Sequence, residues 1–336
     1  MKTLPGAPVA MAQAHQWLHR FADSVLQYRS NSDRLPAQGL GAPHAGQEAP
    51  VPHYAEGALV IEIEAAGLTD IGRVRENNED AYFIDEVNRF YLVADGMGGH
   101  QAGEIASGLV VATIQELLRT PPDDSEPYDH LLSPAANTLA ALVRAANTAV
   151  YEKSREHEKY RGMGSTLAAV LYTDTTAIVA NVGDSPVYLV RGQNIEPLSV
   201  THTVAAELGR THPAQLKNLS EKVQHMLTRA IGIEPEVVPD ICELQCFHGD
   251  IFVLCSDGLS NKVSPPEIAD IVTAAPPGVA CRELVNLANQ RGGEDNITVI
   301  ILKITEPTFL RTWVHRVSAL FKKGAGLFQA NKNRNP

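Results

Sequence analysis

Cysteine is scarce in this chain, with four residues among 336. Cys242, Cys246, Cys255 and Cys281 form no Cys-x-x-Cys pair, so a zinc site built on thiolates is not expected. They read as buried free thiols, with Cys242 and Cys246 on one face of a strand and Cys255 inside the apolar run IFVLCS. Positive charge is also in deficit. Lys and Arg number 28 against 39 Asp and Glu, a net charge of -11. That argues against nucleic-acid binding. It leaves phosphorylated substrates open, because a bound cation can invert the local field. No apolar run approaches the length of a membrane span. The opening residues lack a basic start followed by an apolar block, so no signal peptide is expected, and the expected location is the reducing cytoplasm. The glycine-rich stretch GMGG lacks both Gly-x-Gly-x-x-Gly and a Gly-Lys-Ser/Thr ending, which excludes a nucleotide loop. No internal repeat of fixed period is present.

What the chain does have is apolar material, 44% of its residues. That suffices for one large domain with extensions. Residues 1–57 read as an N-terminal extension. A short amphipathic helix over 11–28 carries Trp17, Leu18, Phe21, Val25 and Leu26. A Pro-, Gly- and Ala-rich linker follows, with little capacity to bury surface. Residues 58–305 read as the folded domain. Strands are expected over 58–69 and 80–96, helices after the glycines and over 135–157. The stretch 165–199 alternates apolar and polar residues around turns and reads as an antiparallel meander. Residues 201–230 are polar and irregular with one helical piece. Strand character returns at DIFVLCSDGLSN and NITVIILKI, with a helix over 278–292 between them. Strands in runs and helices in runs point to a layered α+β fold. Residues 306–336 form a basic amphipathic tail, with Trp313, Val317 and Phe321 on one face. A helix docked on protein is the favoured reading, and contact with a membrane surface the less favoured one.

The run VADGMGGH holds the first chemical signal. An apolar strand ends on Asp95 and gives way to glycines, which let the backbone turn and leave its polar groups open to a close ligand. Asp257 in VLCSDGLSN repeats that context. Asp80 closes RENNED, Asp184 sits in NVGDS and Asp295 in RGGEDNITV. One Asp-Gly at a strand end is ordinary turn chemistry. Several such carboxylates, mostly without a neighbouring Lys or Arg, are harder to explain that way. Clustered carboxylates repel in a poorly solvated site. A hard divalent cation removes that cost, and oxygen donors suit Mg2+ or Mn2+. Two such ions about 3.5–4 Å apart clamp phosphate esters. Arg75 can hold phosphate oxygens in a bidentate way.

The motifs TDIGRVRENNEDAY, LVADGMGGHQAGEIAS, MGSTLAAV, ANVGDSPVYLV, MLTRAIG, VLCSDGLSN and GGEDNITVI stand in the order found in metal-dependent protein Ser/Thr phosphatases, the protein phosphatase 2C type. Over residues 60–305 the chain resembles the bacterial branch of that family. The resemblance implies two packed antiparallel sheets flanked by helices, a four-layer αββα sandwich. It implies a protein serine/threonine phosphatase in which a water bridging two Mn2+ or Mg2+ ions attacks phosphorus directly. Asp95 would bridge both metals and the Gly96 carbonyl would bind the second. Asp257 and Asp295 would complete the first, and Asp80 would act through metal-bound water. Arg75 would grip the phosphate, and Asp184 matches a third, weaker metal site of bacterial members. Phosphorylated proteins are the implied substrates and a Ser/Thr kinase, or its target, the implied partner.

Three positions depart from the family pattern. Met97 stands where animal members carry a histidine acid, Pro186 replaces the usual arginine after Gly-Asp-Ser, and Thr201-His202-Thr203 replaces Asp-His-Ser. A phosphatase-like scaffold without catalysis is the alternative from another class, and its mark would be a lost metal ligand; none is lost. His100, His202 and His248 read as surface or capping histidines, and Ser165 and Thr166 as strand residues. Asn78 and Asn296 read as side chains that tie turns beside the carboxylates.

Overall fold

The computed structural model describes residues 61–98, 102–119, 129–211 and 219–305. The expected N-terminal helix and linker, His100 and the C-terminal tail lie outside the described residues. Eleven strands are described: β1 Glu62–Asp70, β2 Asp80–Asp85, β3 Phe90–Met97, β4 Gly164–Ser165, β5 Leu167–Tyr172, β6 Thr176–Val182, β7 Val187–Arg191, β8 Asn194–Pro197, β9 Asp240–Gln245, β10 Ile251–Cys255 and β11 Ile297–Thr305. The helices are α1 Ala102–Arg119, α2 Pro134–Glu156, α3 Val204–Thr211, α4 Glu221–Gln224, α5 Asp257–Ser260, α6 Pro265–Ala274 and α7 Pro277–Gln290.

The strands form two sheets. One runs β1-β11-β10-β7-β8 and the other β2-β3-β5-β6-β9, with β4 paired to β3. All pairings are antiparallel. The two-residue period of the strands sorts their side chains into layers. On β3, Phe90, Leu92 and Ala94 pack with Ile114 of α1 and Leu142 of α2. Tyr91 and Val93, on the opposite side, pack with Phe252 and Leu254 of β10 and with Ile300 and Leu302 of β11. The other parity of β10 and β11, Val253 and Ile301 among them, packs with Ile268 of α6 and Leu284 of α7. Three cores therefore separate four layers, helices–sheet–sheet–helices, as expected from the resemblance.

Local sequence sets the helix starts. Pro134 and Pro265 sit in first turns, where a missing N–H costs nothing. Ser133 caps α2 by accepting the Ala136 N–H at 3.1 Å. Ser264 and Glu267 form a capping box at α6.

The expected meander over 165–199 is not one meander. β5 and β6 belong to one sheet, β7 and β8 to the other. The chain crosses between sheets at Gly183-Asp184-Ser185-Pro186. Gly183 has φ +104 there, a left-handed value that glycine tolerates. Pro186, with no N–H to give a ladder, stands just before β7.

Candidate active site

The strand period decides where Asp95 points. Tyr91 and Val93 face the layer between the sheets, and Asp95, two residues further, shares their side. Asp80 stands directly opposite Asp95 in the β2–β3 register. Directly opposed residues project to the same face of a ladder, so both carboxylates sit at one end of the inter-sheet layer. Asp257 opens α5 just after β10, Asp295 lies two residues before β11, and Asp184 occupies the crossing turn between β6 and β7.

These aspartates act on one another. Burial first, then the charges of Asp80, Asp257, Asp184 and Asp295, holds the Asp95 carboxyl well above the usual range. Burial pushes Asp80 up to about 7, opposed by the Thr298 and Ser256 hydroxyls and assisted by Asp257 and Asp295. Burial, then the charge of Asp257, pushes Asp184 up to about 7. Burial and the charge of Asp295 also raise Asp257. Asp80, Asp95, Asp184, Asp257 and Asp295 thus form one electrostatic cluster.

Asp80 is held from the other sheet. Its Oδ2 accepts the Ser256 hydroxyl at 2.7 Å and the Thr298 hydroxyl at 2.7 Å. With its proton committed to Asp80, the Thr298 oxygen accepts from Thr69 at 2.7 Å, and Thr69 accepts from Asn78 Nδ2 at 2.8 Å. The chain of donors runs one way and ends on the carboxylate, which favours its charged form. Oδ1 of Asp80 is buried with no partner.

Asn296 ties the loop that carries Arg75 to the strand that follows Asp295. Its Oδ1 accepts the Glu79 N–H at 2.8 Å, and its Nδ2 donates to Ile71 O at 2.9 Å and Asn77 O at 3.0 Å. Asn78 accepts the Asp80 N–H at 3.1 Å. Both asparagines therefore tie turns, as expected. The Arg75 Nη2 donates to Asp295 Oδ2 at 2.8 Å. Burial lowers the pKa of the guanidinium, but Asp295, Glu79 and Asp95 outweigh it and the net shift is upward. Gly96 donates its N–H to Glu79 O at 3.0 Å. A Cβ at Gly96 would run into the carbonyl oxygens of Glu79 and Gly103, so only glycine lets α1 approach this closely.

The donor set fits a hard divalent cation. It consists of carboxylate oxygens that repel one another in a buried place, and one of them, Asp80 Oδ1, has no hydrogen-bond partner. Among the described residues, no group of three or more His, Cys, Asp or Glu side chains is arranged to hold a metal ion as it stands. Both oxygens of Asp295 have protein partners, Oδ1 the Asn296 N–H at 2.9 Å and Oδ2 Arg75 at 2.8 Å. Asp257 Oδ2 accepts from Asn261 at 3.2 Å. A cation at Asp295 would compete with the guanidinium for Oδ2.

Several supporting residues are not among the site residues expected from the sequence, Thr166 having read as a strand residue. Ser256 and Thr298 hold Asp80. Thr166 Oγ1 accepts the Asp95 N–H at 3.0 Å and shares a 2.6 Å hydrogen bond with Ser185. Their signal was a lone hydroxyl at inter-sheet parity in an apolar strand, as Thr298 is in NITVIIL. His202 is a correction. It is 2% exposed, because its ring fills the space between Gly183 and Asp240; His248 is exposed, as expected. The free thiols are confirmed, with Cys242 only half-buried. Among the described residues, no helix is long and apolar enough to cross a membrane.

A two-sheet sandwich with a carboxylate cluster at one end of its central layer defines a class, and residues 72–290 match the protein phosphatase 2C family. The chain belongs to that family. It is 36% identical over 257 residues to protein phosphatase PhpP of Streptococcus pneumoniae, covering 73% of this chain and 98% of that protein. The crystal structure of the serine/threonine phosphatase PstP/Ppp of Mycobacterium tuberculosis is 33% identical and superimposes with a TM-score of 0.62, covering 74% of this chain and 100% of that one. A PstP catalytic domain in complex with 2 manganese ions is 33% identical, with a TM-score of 0.61 over 74% of this chain and all of that one.

Proposed function

We propose that this chain is a metal-dependent protein serine/threonine phosphatase whose catalytic domain spans residues 58–305. The carrying observation is the cluster of Asp80, Asp95, Asp184, Asp257 and Asp295, in which Asp80 Oδ1 is buried without a partner. Asp95, the Gly96 carbonyl, Asp257 and Asp295 would hold two Mn2+ or Mg2+ ions, and Asp184 would serve a third, weaker site. When bound, the ions supply an activated water and stabilise charge on the phosphoryl oxygens. Asp80, fixed through Oδ2 by Ser256 and Thr298, leaves Oδ1 free to orient the attacking water. Arg75, 47% exposed at its side chain, reaches outward and clamps the phosphate in two hydrogen bonds. Met97 has no acidic proton to give the leaving oxygen.

Phosphoserine and phosphothreonine proteins are the substrates, and a Ser/Thr kinase or its targets the partners. The site works in the cytoplasm, where such signalling is reversed. Hydrolysis of a phosphothreonine peptide with chelator, then with Mn2+ restored, tests the reading. Activity should vanish and return; full activity in chelator rejects it.

A further inference from the structure

His202 makes more bonds to the crossing turn than a capping histidine would. Its backbone N–H donates to Gly183 O at 2.9 Å. Its Nδ1 accepts the Gly183 N–H at 3.0 Å. His202 therefore holds both polar groups of the residue before Asp184, the carbonyl through its backbone N–H and the N–H through its ring. An Nδ1 that accepts cannot carry a proton, so the single ring proton sits on Nε2. That nitrogen donates to Asp240 Oδ2 at 2.6 Å, and Asp240 Oδ1 accepts from Arg229 at 3.3 Å. The carboxylate thus fixes the tautomer, as an outer partner fixes a metal-ligating imidazole.

The same residue anchors the 203–230 segment. His202 O accepts the Thr228 N–H at 2.9 Å, and Thr203 bridges Leu227. Gly183 needs such a hold. Its φ is +104, and the Thr166 side chain lies against the position a Cβ would take. Thr166 in turn bonds Ser185 and the Asp95 N–H. The turn is clamped on one side by Thr166 and on the other by His202, with Asp184 between.

We propose that His202 is a positioning residue: through its Nδ1 bond to Gly183 it sets the Asp184 carboxylate for a divalent cation, and Asp240 keeps it in the required tautomer. This rests on the reading of Asp184 as a metal ligand. It is distinct from any direct role, because neither ring nitrogen is free.

The test is a Mn2+ binding isotherm on the full chain, by calorimetry or by the paramagnetic signal of free Mn2+. His202→Asn keeps an acceptor near the Nδ1 position and loses the reach to Asp240. His202→Gln keeps the reach and loses the acceptor. Outer partners of metal ligands typically contribute about 10–100-fold in affinity. His202→Gln should weaken the weakest Mn2+ step by at least about 10-fold and leave the tighter steps unchanged. His202→Asn should stay near wild type. Asp184→Asn should abolish the same weak step. Asp240→Ala, at a partly exposed side chain, should weaken it in the same direction by less and keeps the question answerable if His202→Gln does not fold. Loss of the weak step in Asp184→Asn with a wild-type isotherm in His202→Gln overturns the role of His202 and leaves Asp184 standing. Equal weakening by Asn and Gln also overturns it. An unchanged isotherm in Asp184→Asn removes Asp184 from metal binding, and the proposal with it.

Discussion

Arg75 and Asp295, 220 residues apart in sequence, meet through a single 2.8 Å hydrogen bond between Nη2 and Oδ2. The guanidinium occupies a carboxylate proposed as a metal ligand, so it acts as a resident counter-charge. On the proposed reading, a cation that takes Asp295 would free Arg75 for the substrate.

Arg75→Ala should therefore separate two properties. A charge-assisted hydrogen bond contributes about 1.5–3 kcal/mol, so kcat/KM for a phosphopeptide should fall by about 10–100-fold, mainly through KM. Mn2+ affinity should hold or rise, because a competitor for Asp295 is gone. Steady-state kinetics beside a Mn2+ isotherm check both. Unchanged kinetics, or weakened metal binding, would remove Arg75 from this role.

Asp95→Asn should have opposite effects on activity and on stability. It removes a buried carboxyl whose charged form is disfavoured by burial and by the neighbouring aspartates, so the metal-free protein should melt at a higher temperature at pH 7.5. It also removes a carboxylate proposed to hold the metal, so kcat should drop by at least about 100-fold, the scale of losing one preorganised stabilising group. A metal-free variant that is less stable than wild type would contradict the repulsion argument.

Thr298→Val deletes one of the two hydroxyls that hold Asp80 Oδ2. Leaving a buried carboxylate short of a donor costs about 1–3 kcal/mol. Denaturant unfolding should show that loss, and kcat should fall with it. Equal stability of the two proteins would show that the hydroxyl chain from Asn78 does not support Asp80.

The His202–Asp240 pair gives a pH dependence with a fixed sign. Burial lowers the His202 pKa below its ordinary value of 6.5, and Asp240 and Arg229 adjust it from there. Between the folded pKa and 6.5 the unfolded chain binds more protons, so stability falls as pH drops through that window. Asp240 is pushed up by burial but pulled below 3.8 overall by His202 and Arg229, so it adds a further loss in stronger acid. The stability difference between wild type and His202→Gln should shrink from pH 7.5 to pH 5. A difference that stays constant would show that the imidazole does not change its protonation.

The carboxylates were legible in the sequence because each lies at or beside one end of an apolar strand, and the strand period alone fixes which side Asp95 takes. What escaped was set by pairing between distant segments. The run 165–199 alternates without a break, yet its halves join different sheets, and only Gly183 and Pro186 mark the crossing. Helix α6 was not anticipated, although Ser264, Pro265 and Glu267 write its capping box. His202 reads as a surface or capping histidine, and its burial escapes the sequence because its partners, Gly183 and Asp240, lie 19 and 38 residues away.

The central claim is that these aspartates gather the metal that performs the hydrolysis. An anomalous difference map of the full chain crystallised with Mn2+ tests it most directly. Two strong peaks should appear between Asp95, the Gly96 carbonyl, Asp257 and Asp295, with Arg75 turned away from Asp295. An active crystal preparation with no peak at those residues, or with Mn2+ held elsewhere, would contradict it.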